Sequence, residues 1–149
     1  MRYGLMFLMV LGGMLLAFQV PVNVRLRESL NSPVLSAATS FFVGAVVLLL
    51  IVATGALGGS GNGLEGFRSA PLWSFLGGIC GASYVLFSIL TLPRVGAAVT
   101  ISCAILGQQI AALLVDSFGL FGAPRLPFTA ARIAGVLLLV SGVFLLQRK

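Results

Sequence analysis

Five long apolar segments, joined by short connections, constrain this chain more than any other feature. A helix needs about 20 apolar residues to cross about 30 Å of hydrocarbon, and each segment is long enough. The fifth contains Arg132 in its first turn, so that side chain must reach toward the headgroups. The sequence therefore predicts an all-α, polytopic membrane protein forming a single transmembrane domain. Its five predicted transmembrane helices are 3–24, 34–57, 72–92, 97–115 and 130–146.

The composition supports this class and argues against several functions. The chain is 59% hydrophobic and 8% charged, which leaves too little polar surface for a soluble globule. Its net charge of +6 comes from arginines that stand singly beside apolar runs, so we expect no nucleic-acid partner. The chain has no histidine, and Cys80 and Cys103 lie in apolar spans without a CxxC motif. We therefore expect no enzyme activity, no metal site and no cofactor.

The basic residues are balanced between the two membrane faces. Five spans place the chain ends on opposite sides, so the charges can be sorted by face. One face holds four, Arg2, Arg68, Arg125 and Arg132, and the other holds five, Arg25, Arg27, Arg94, Arg148 and Lys149. A protein with one fixed orientation normally shows a clear cytoplasmic excess of Lys and Arg. The balance predicts that copies of the chain insert in both orientations. The alternative is that a feature other than loop charge fixes one orientation.

Dual insertion of an odd number of spans has a structural consequence. Many transporters consist of two inverted halves around a midplane site, and an inverted copy can supply the second half. The sequence thus predicts a half-transporter that assembles into an inverted ten-helix dimer in the lipid bilayer. The expected function is transport of a small-molecule substrate through a polar cavity near the midplane.

The first span contains two amide side chains that predict part of this cavity. Gln19 and Asn23 are four residues apart and share one helical face. Pro21 lies between them, and its missing N–H leaves the carbonyl of Ala17 without a helical donor. Because broken helices line substrate cavities in transporters, we predict that Gln19 and Asn23 bind substrate. The alternative is that both amides bond to neighbouring helices.

The fourth span carries two adjacent glutamines that point about 100° apart. Gln108 continues a row of small residues and is the better candidate for a cavity amide. Gln109 shares a face with Asp116, and the sequence alone does not decide which glutamine faces the cavity. Asp116, near the helix end, is predicted to be a gate or coupling charge, with a solvated helix-end carboxylate as the alternative. Tyr84 lies at mid-span in the third segment, where its hydroxyl needs a partner such as Gln108 or substrate.

Small residues recur at helical spacing in three spans. Such stripes let membrane helices approach closely, because lipid gives no hydrophobic drive for helices to associate. They predict tight packing without showing which stripe faces a sister subunit. The stripes are Ser36, Ser40 and Gly44; Gly77 and Gly81; and Ala131, Gly135 and Gly142.

Several motifs resemble one group of bacterial membrane proteins. The order "FQVPVNVRL", "SPVLSAATSFFVG", "PLWSFLGGICG", "LPRVGAAVTISCAILGQQIAALLVDSFGLFG" and "RIAGVLLLVSGVFL" is similar to the short, five-helix YdcZ-type branch of the drug/metabolite transporter superfamily. The resemblance implies a multi-pass half-transporter of the bacterial inner membrane, working as a homodimer or with a paralogous partner. It favours Gln19, Asn23, Gln108 and Asp116 as functional residues, and it implies no particular substrate. The most specific matches are Pro93, Gly96, Gly107, Gln108, Asp116, Gly119, Arg132 and Gly135.

The chain departs from the small multidrug exporters of that superfamily in one respect. Those proteins carry a membrane-embedded glutamate in the first helix, whereas Glu28, Glu65 and Asp116 lie in loops or at helix ends here. An uncompensated cation at the midplane would be costly. The substrate is therefore expected to be neutral, zwitterionic or weakly polar, or else coupling uses Asp116. Two other classes stay open: a small dual-topology ion channel, and an accessory subunit without a pathway of its own.

Overall fold

The computed structural model describes residues 2–55 and 70–147, and these residues form five α-helices. A 3₁₀ turn at Leu72–Phe75 leads into the third helix, and another at Leu120–Gly122 follows the fourth. Four charges used above to weigh orientation and coupling, Glu65, Arg68, Arg148 and Lys149, lie outside the described residues, as does the end of the second predicted span. The helices are α1 (Arg2–Leu30), α2 (Pro33–Thr54), α3 (Leu76–Val95), α4 (Ala97–Phe118) and α5 (Ala130–Gln147).

Within the described ranges, four helical stretches are long and apolar enough to cross a membrane. They are Tyr3–Leu30, Pro33–Thr54, Leu72–Val95 and Ala97–Phe118, whereas Ala130–Leu146 is a shorter apolar helix. The prediction of five full-length spans is therefore confirmed for four. The last helix begins at Ala130, as predicted, and Thr129 caps its start: the Thr129 hydroxyl accepts a hydrogen bond from the Arg132 N–H at 3.3 Å.

The first helix is longer than the apolar segment that predicts it. The segment ends near Val24, but α1 continues to Leu30 through a turn that holds an exposed Arg25–Glu28 ion pair of 2.6 Å. Helix formation depends on backbone hydrogen bonds and residue propensity, and arginine, leucine and glutamate are good helix formers. The helix therefore extends beyond the stretch that hydrocarbon requires, and it also runs without interruption through Pro21.

Local signals at the ends of α2 explain its bounds. Ser32 is the N-cap, with its hydroxyl accepting the Leu35 N–H at 3.2 Å, and Pro33 occupies the first helical position. Gly55 ends the helix in the left-handed conformation at φ 65°, which costs glycine little.

The chain divides into two compact units, Met1–Leu90 and Thr91–Lys149, with the boundary inside α3. In the first unit α1 packs against α2. Its buried apolar cluster consists of Ala37, Val85 and Ile89, with Tyr84 packed against it. In the second unit α4 packs against α5.

Candidate functional site

Of the two amide residues predicted in the first span, Gln19 contacts α2 through its side chain and Asn23 through its backbone carbonyl. Gln19 Nε2 donates to Ser40 Oγ at 3.0 Å, and Ser36 Oγ donates to the backbone carbonyl of Asn23 at 2.7 Å. A step of four residues along α1 thus matches a step of four back along α2, which is the pattern of antiparallel helices in contact. The polar face of α1 packs against the Ser36–Ser40 stripe of α2.

The two members of this face differ in accessibility. Asn23 is 3% exposed and Ser36 is fully buried, so this level is closed by helix packing. Gln19 is half-buried and lies with Ser40 in an open pocket of about 300 Å³. The remaining lining is apolar or small: Phe41, Gly44, Ala45 and Leu48. In this unit Gln19 is therefore the amide with direct access to a pocket.

Tyr84 stands on the same unit, half-buried against the Ala37, Val85 and Ile89 cluster. The Ser88 hydroxyl donates to the Tyr84 backbone carbonyl at 2.8 Å, a bond within α3. Gln108 belongs to the second unit, where it is exposed on α4. The bond between the Tyr84 hydroxyl and Gln108 stays a prediction.

Arg27 makes a contact that the sequence alone did not indicate. Its Nη1 donates to the backbone carbonyl of Ile89 at 3.2 Å, and Ile89 is fully buried in α3. That carbonyl lacks its usual helical donor because the residue four positions later is Pro93, which has no N–H. The last turn of α1 therefore supplies the hydrogen bond that the proline removes. The sequence contained one signal for this contact, a proline inside an apolar span. The carbonyl four residues before such a proline lacks its helical N–H donor.

In the second unit, Asp116 pairs with Arg132. The distance from Arg132 Nη1 to Asp116 Oδ2 is 3.2 Å, with the two side chains 32% and 36% exposed. Nη1 itself is buried but makes no hydrogen bond of good geometry, so the contact is chiefly electrostatic. Arg132 lies beside a carboxylate on the neighbouring helix, and its expected reach toward the headgroups stays a prediction.

The loop after α4 folds back and holds this end of the helix. Leu126 N–H donates to the Asp116 carbonyl at 2.8 Å, and Arg125 Nε donates to the Ser117 carbonyl at 3.1 Å. These bonds satisfy two of the carbonyls that a helix end leaves free. Gly119 allows the reversal at φ 64°, and a side chain there would contact the Ala123 carbonyl at 3.4 Å.

A pocket of about 300 Å³ extends along α4 and α5 from the ion pair. Gln109 lines it, two helical turns before Asp116, as their shared face predicts. Its other lining residues are Ala112, Leu113, Gly135, Val136 and Leu139. Within the residues described, no group of three or more His, Cys, Asp or Glu side chains is placed to hold a metal ion.

Comparison with known proteins identifies the family of the chain. The model of the family DMT_YdcZ, described as "Putative inner membrane exporter, YdcZ", matches residues 4–145. The chain belongs to this YdcZ family. It is also 30% identical over 145 residues to "Inner membrane protein YdcZ" of Escherichia coli (strain K12), covering 95% of this chain and 93% of that protein. No solved structure matches the chain.

Membership in the YdcZ family establishes the class and location of the protein. It is a multi-pass protein of the bacterial inner membrane and a membrane transporter, a class distinct from the enzymes. The resemblance stated from the motifs is thereby confirmed. The individual roles of Gln19, Asn23, Tyr84, Gln108 and Asp116 stay predictions. Ser40 and Arg132, which were not predicted to lie at a polar pocket, both line one.

Proposed function

We propose that this YdcZ family member is one half of an exporter of small molecules, completed by an inverted copy or by an inverted paralogue. Ten helices then enclose a polar chamber near the bilayer midplane. Gln19, Asn23, Tyr84 and Gln108 bind substrate there, and Asp116 serves as a gate or coupling group.

The observation that carries this proposal is the Gln19–Ser40 pair beside an open pocket between two apolar helices. A polar side chain facing hydrocarbon is costly, so polar groups in spans usually face a protein interior or a water-filled path. The amide can both donate and accept, which suits a polar substrate without net charge. The pair also gives Gln19 a partner while the pocket holds no substrate.

The uncovered apolar surface supports a partner subunit. Between 6% and 17% of the residues in the most apolar stretch of each described span are buried within one copy. Lipid covers such surface adequately, but a closed polar chamber requires more protein around it. The balance of basic residues between the two faces makes an inverted copy the simplest source of that protein.

Reporter fusions at the two termini test the assembly. We expect each terminus to report both cytoplasmic and periplasmic locations in the same cells. Two variants, each with lysines added to one membrane face only, bias the orientation and sharpen the test. One is Ser29→Lys with Leu30→Lys, and the other, on the opposite face, is Pro124→Lys with Phe128→Lys. All four positions are exposed. Each variant expressed alone should lose transport, and coexpression should restore it.

A single location for each terminus, together with full transport by either biased variant alone, would refute the inverted homodimer. A single location together with a requirement for a neighbouring paralogue would replace it by the heterodimer. Transport is scored as a saturable rate in proteoliposomes, because a channel gives a flux that does not saturate over the same concentrations.

A further inference from the structure

The pocket around Asp116 and Arg132 has a chemistry that narrows the ligand class. We infer that it binds a zwitterion with an apolar body, placing the ligand's anionic group on Arg132 and its ammonium on Asp116. This deepens the proposed exporter function by naming the substrate class, and it is tested by binding, independently of transport and orientation.

The charges of the pocket favour a ligand that carries both signs. Asp116 and Arg132 sum to zero, so a singly charged ligand would leave one protein charge uncompensated beside apolar walls. A zwitterion gives each protein charge an opposite charge. Arginine has five N–H donors in a planar fork that matches a carboxylate or phosphate, and the carboxylate of Asp116 accepts from an ammonium.

The ion pair between Asp116 and Arg132 leaves both side chains able to bind the charges of a ligand. Its closest approach is 3.2 Å, and the buried Nη1 of Arg132 lacks a hydrogen bond of good geometry. A strong Arg–carboxylate pair is usually shorter and bidentate. Inserting a ligand between these groups therefore exchanges a weak contact for two charge-assisted hydrogen bonds.

The rest of the pocket fits an apolar body. Gly135 leaves open space between the walls, and no atom lies within 4 Å of a Cβ added there. Gly135 and Leu139 also line an adjoining pocket of about 340 Å³, whose other residues are mostly apolar. A polar head at the ion pair can therefore continue as an apolar chain along α5.

Free amino acids and ethanolamine phospholipids both present this chemistry, so the test uses both sources. Binding to the purified protein in detergent is measured for leucine, leucinamide and N-acetylleucine, which are a zwitterion, a cation and an anion with the same side chain. Lysophosphatidylethanolamine and lysophosphatidylglycerol form the lipid arm. We expect the zwitterion to bind at least about tenfold more tightly than the singly charged analogues in one arm or the other.

Two substitutions then separate a ligand site from a structural ion pair. Asp116→Asn leaves the arginine, so preference should pass to N-acetylleucine or to the anionic lipid. Arg132→Gln leaves the carboxylate, so preference should pass to leucinamide. A purely structural pair would lower stability in both variants without changing which ligand charge is preferred.

Gly135→Leu fills the pocket while keeping both charges. This variant therefore separates loss of the binding site from loss of folding. Binding should fall at least about tenfold with the melting temperature and oligomeric state unchanged. The inference is overturned if no zwitterion is preferred in either arm, if charge preference is the same in all variants, or if Gly135→Leu abolishes the dimer, since a sister helix then occupies the pocket.

Discussion

The hydrogen bond from Arg27 to the Ile89 carbonyl gives a double-mutant prediction. Replacing Arg27 by alanine leaves a buried carbonyl that Pro93 has already deprived of its helical donor. A bond from a charged donor contributes about 1.5 to 3 kcal/mol, and a buried acceptor left unpaired costs about 1 to 3 kcal/mol. Because Arg27 is half-buried, we expect Arg27→Ala to lower the free energy of unfolding by about 1 to 2 kcal/mol.

Pro93→Ala changes this cost by restoring the missing N–H. The Ile89 carbonyl then regains a donor within α3, and Arg27→Ala should cost about 1 kcal/mol less in that background. The contrast requires all four proteins: the original chain, each single variant and the double variant. Arg94→Ala is the matched control, because Arg94 is an exposed arginine in the last turn of α3, the helix that contains Ile89 and Pro93.

Unfolding by sodium dodecyl sulfate in mixed micelles measures these free energies. Trp73 is the only tryptophan of the chain, and its fluorescence reports on the first unit, where the contact lies. Additive effects of the two substitutions within about 0.5 kcal/mol would show that the proline and the arginine act independently. An equal loss in Arg94→Ala would attribute the effect to net charge.

Two further predictions concern the first unit. A Cβ on Gly81 would meet Phe41 Cζ at 3.3 Å, whereas Gly77 has open space, so Gly81→Leu should cost about 1 to 3 kcal/mol and Gly77→Leu much less in the same unfolding assay. Equal losses from both would place Gly77 in an interface that one copy does not contain. Gln19→Leu should abolish substrate transport in proteoliposomes, while Ser40→Ala, which removes the same 3.0 Å hydrogen bond but keeps the amide, should retain saturable transport at a reduced rate. Parallel losses of transport in the two variants would mean that the amide only joins helices.

Hydropathy predicts the helices well because membrane insertion is decided segment by segment. Each span must supply enough apolar length and satisfy its own backbone, and both requirements are local. The same locality explains the errors in the bounds. Helix α1 passes its apolar limit at Val24 because nothing near Arg25 stops a helix, whereas α5 begins at Ala130 as predicted, directly after the Thr129 cap.

The partners of the polar residues were less accessible from sequence. Spacing predicted one face for Gln19 and Asn23, and both contact the Ser36–Ser40 stripe of α2, Gln19 by its side chain and Asn23 by its backbone carbonyl. Their pairing depends on the register between two helices, which the pattern of either helix alone does not fix. Arg132 meets Asp116 because the intervening loop folds back onto the end of α4, through hydrogen bonds that no sequence period records.

The paired state of these polar groups bears on how a transporter releases its substrate. A site made of unpartnered amides and charges would be costly when empty, so it would hold its ligand tightly and turn over slowly. Gln19 has Ser40, and Arg132 has Asp116, within a single copy. Substrate binding then exchanges one set of polar contacts for another, and the net free energy of binding stays small. We therefore expect Ser40→Ala to strengthen substrate binding relative to the original chain while slowing release, which equilibrium binding and efflux rates measured on the same proteoliposomes can separate. Weaker binding together with faster release would show that the hydroxyl contacts the substrate directly.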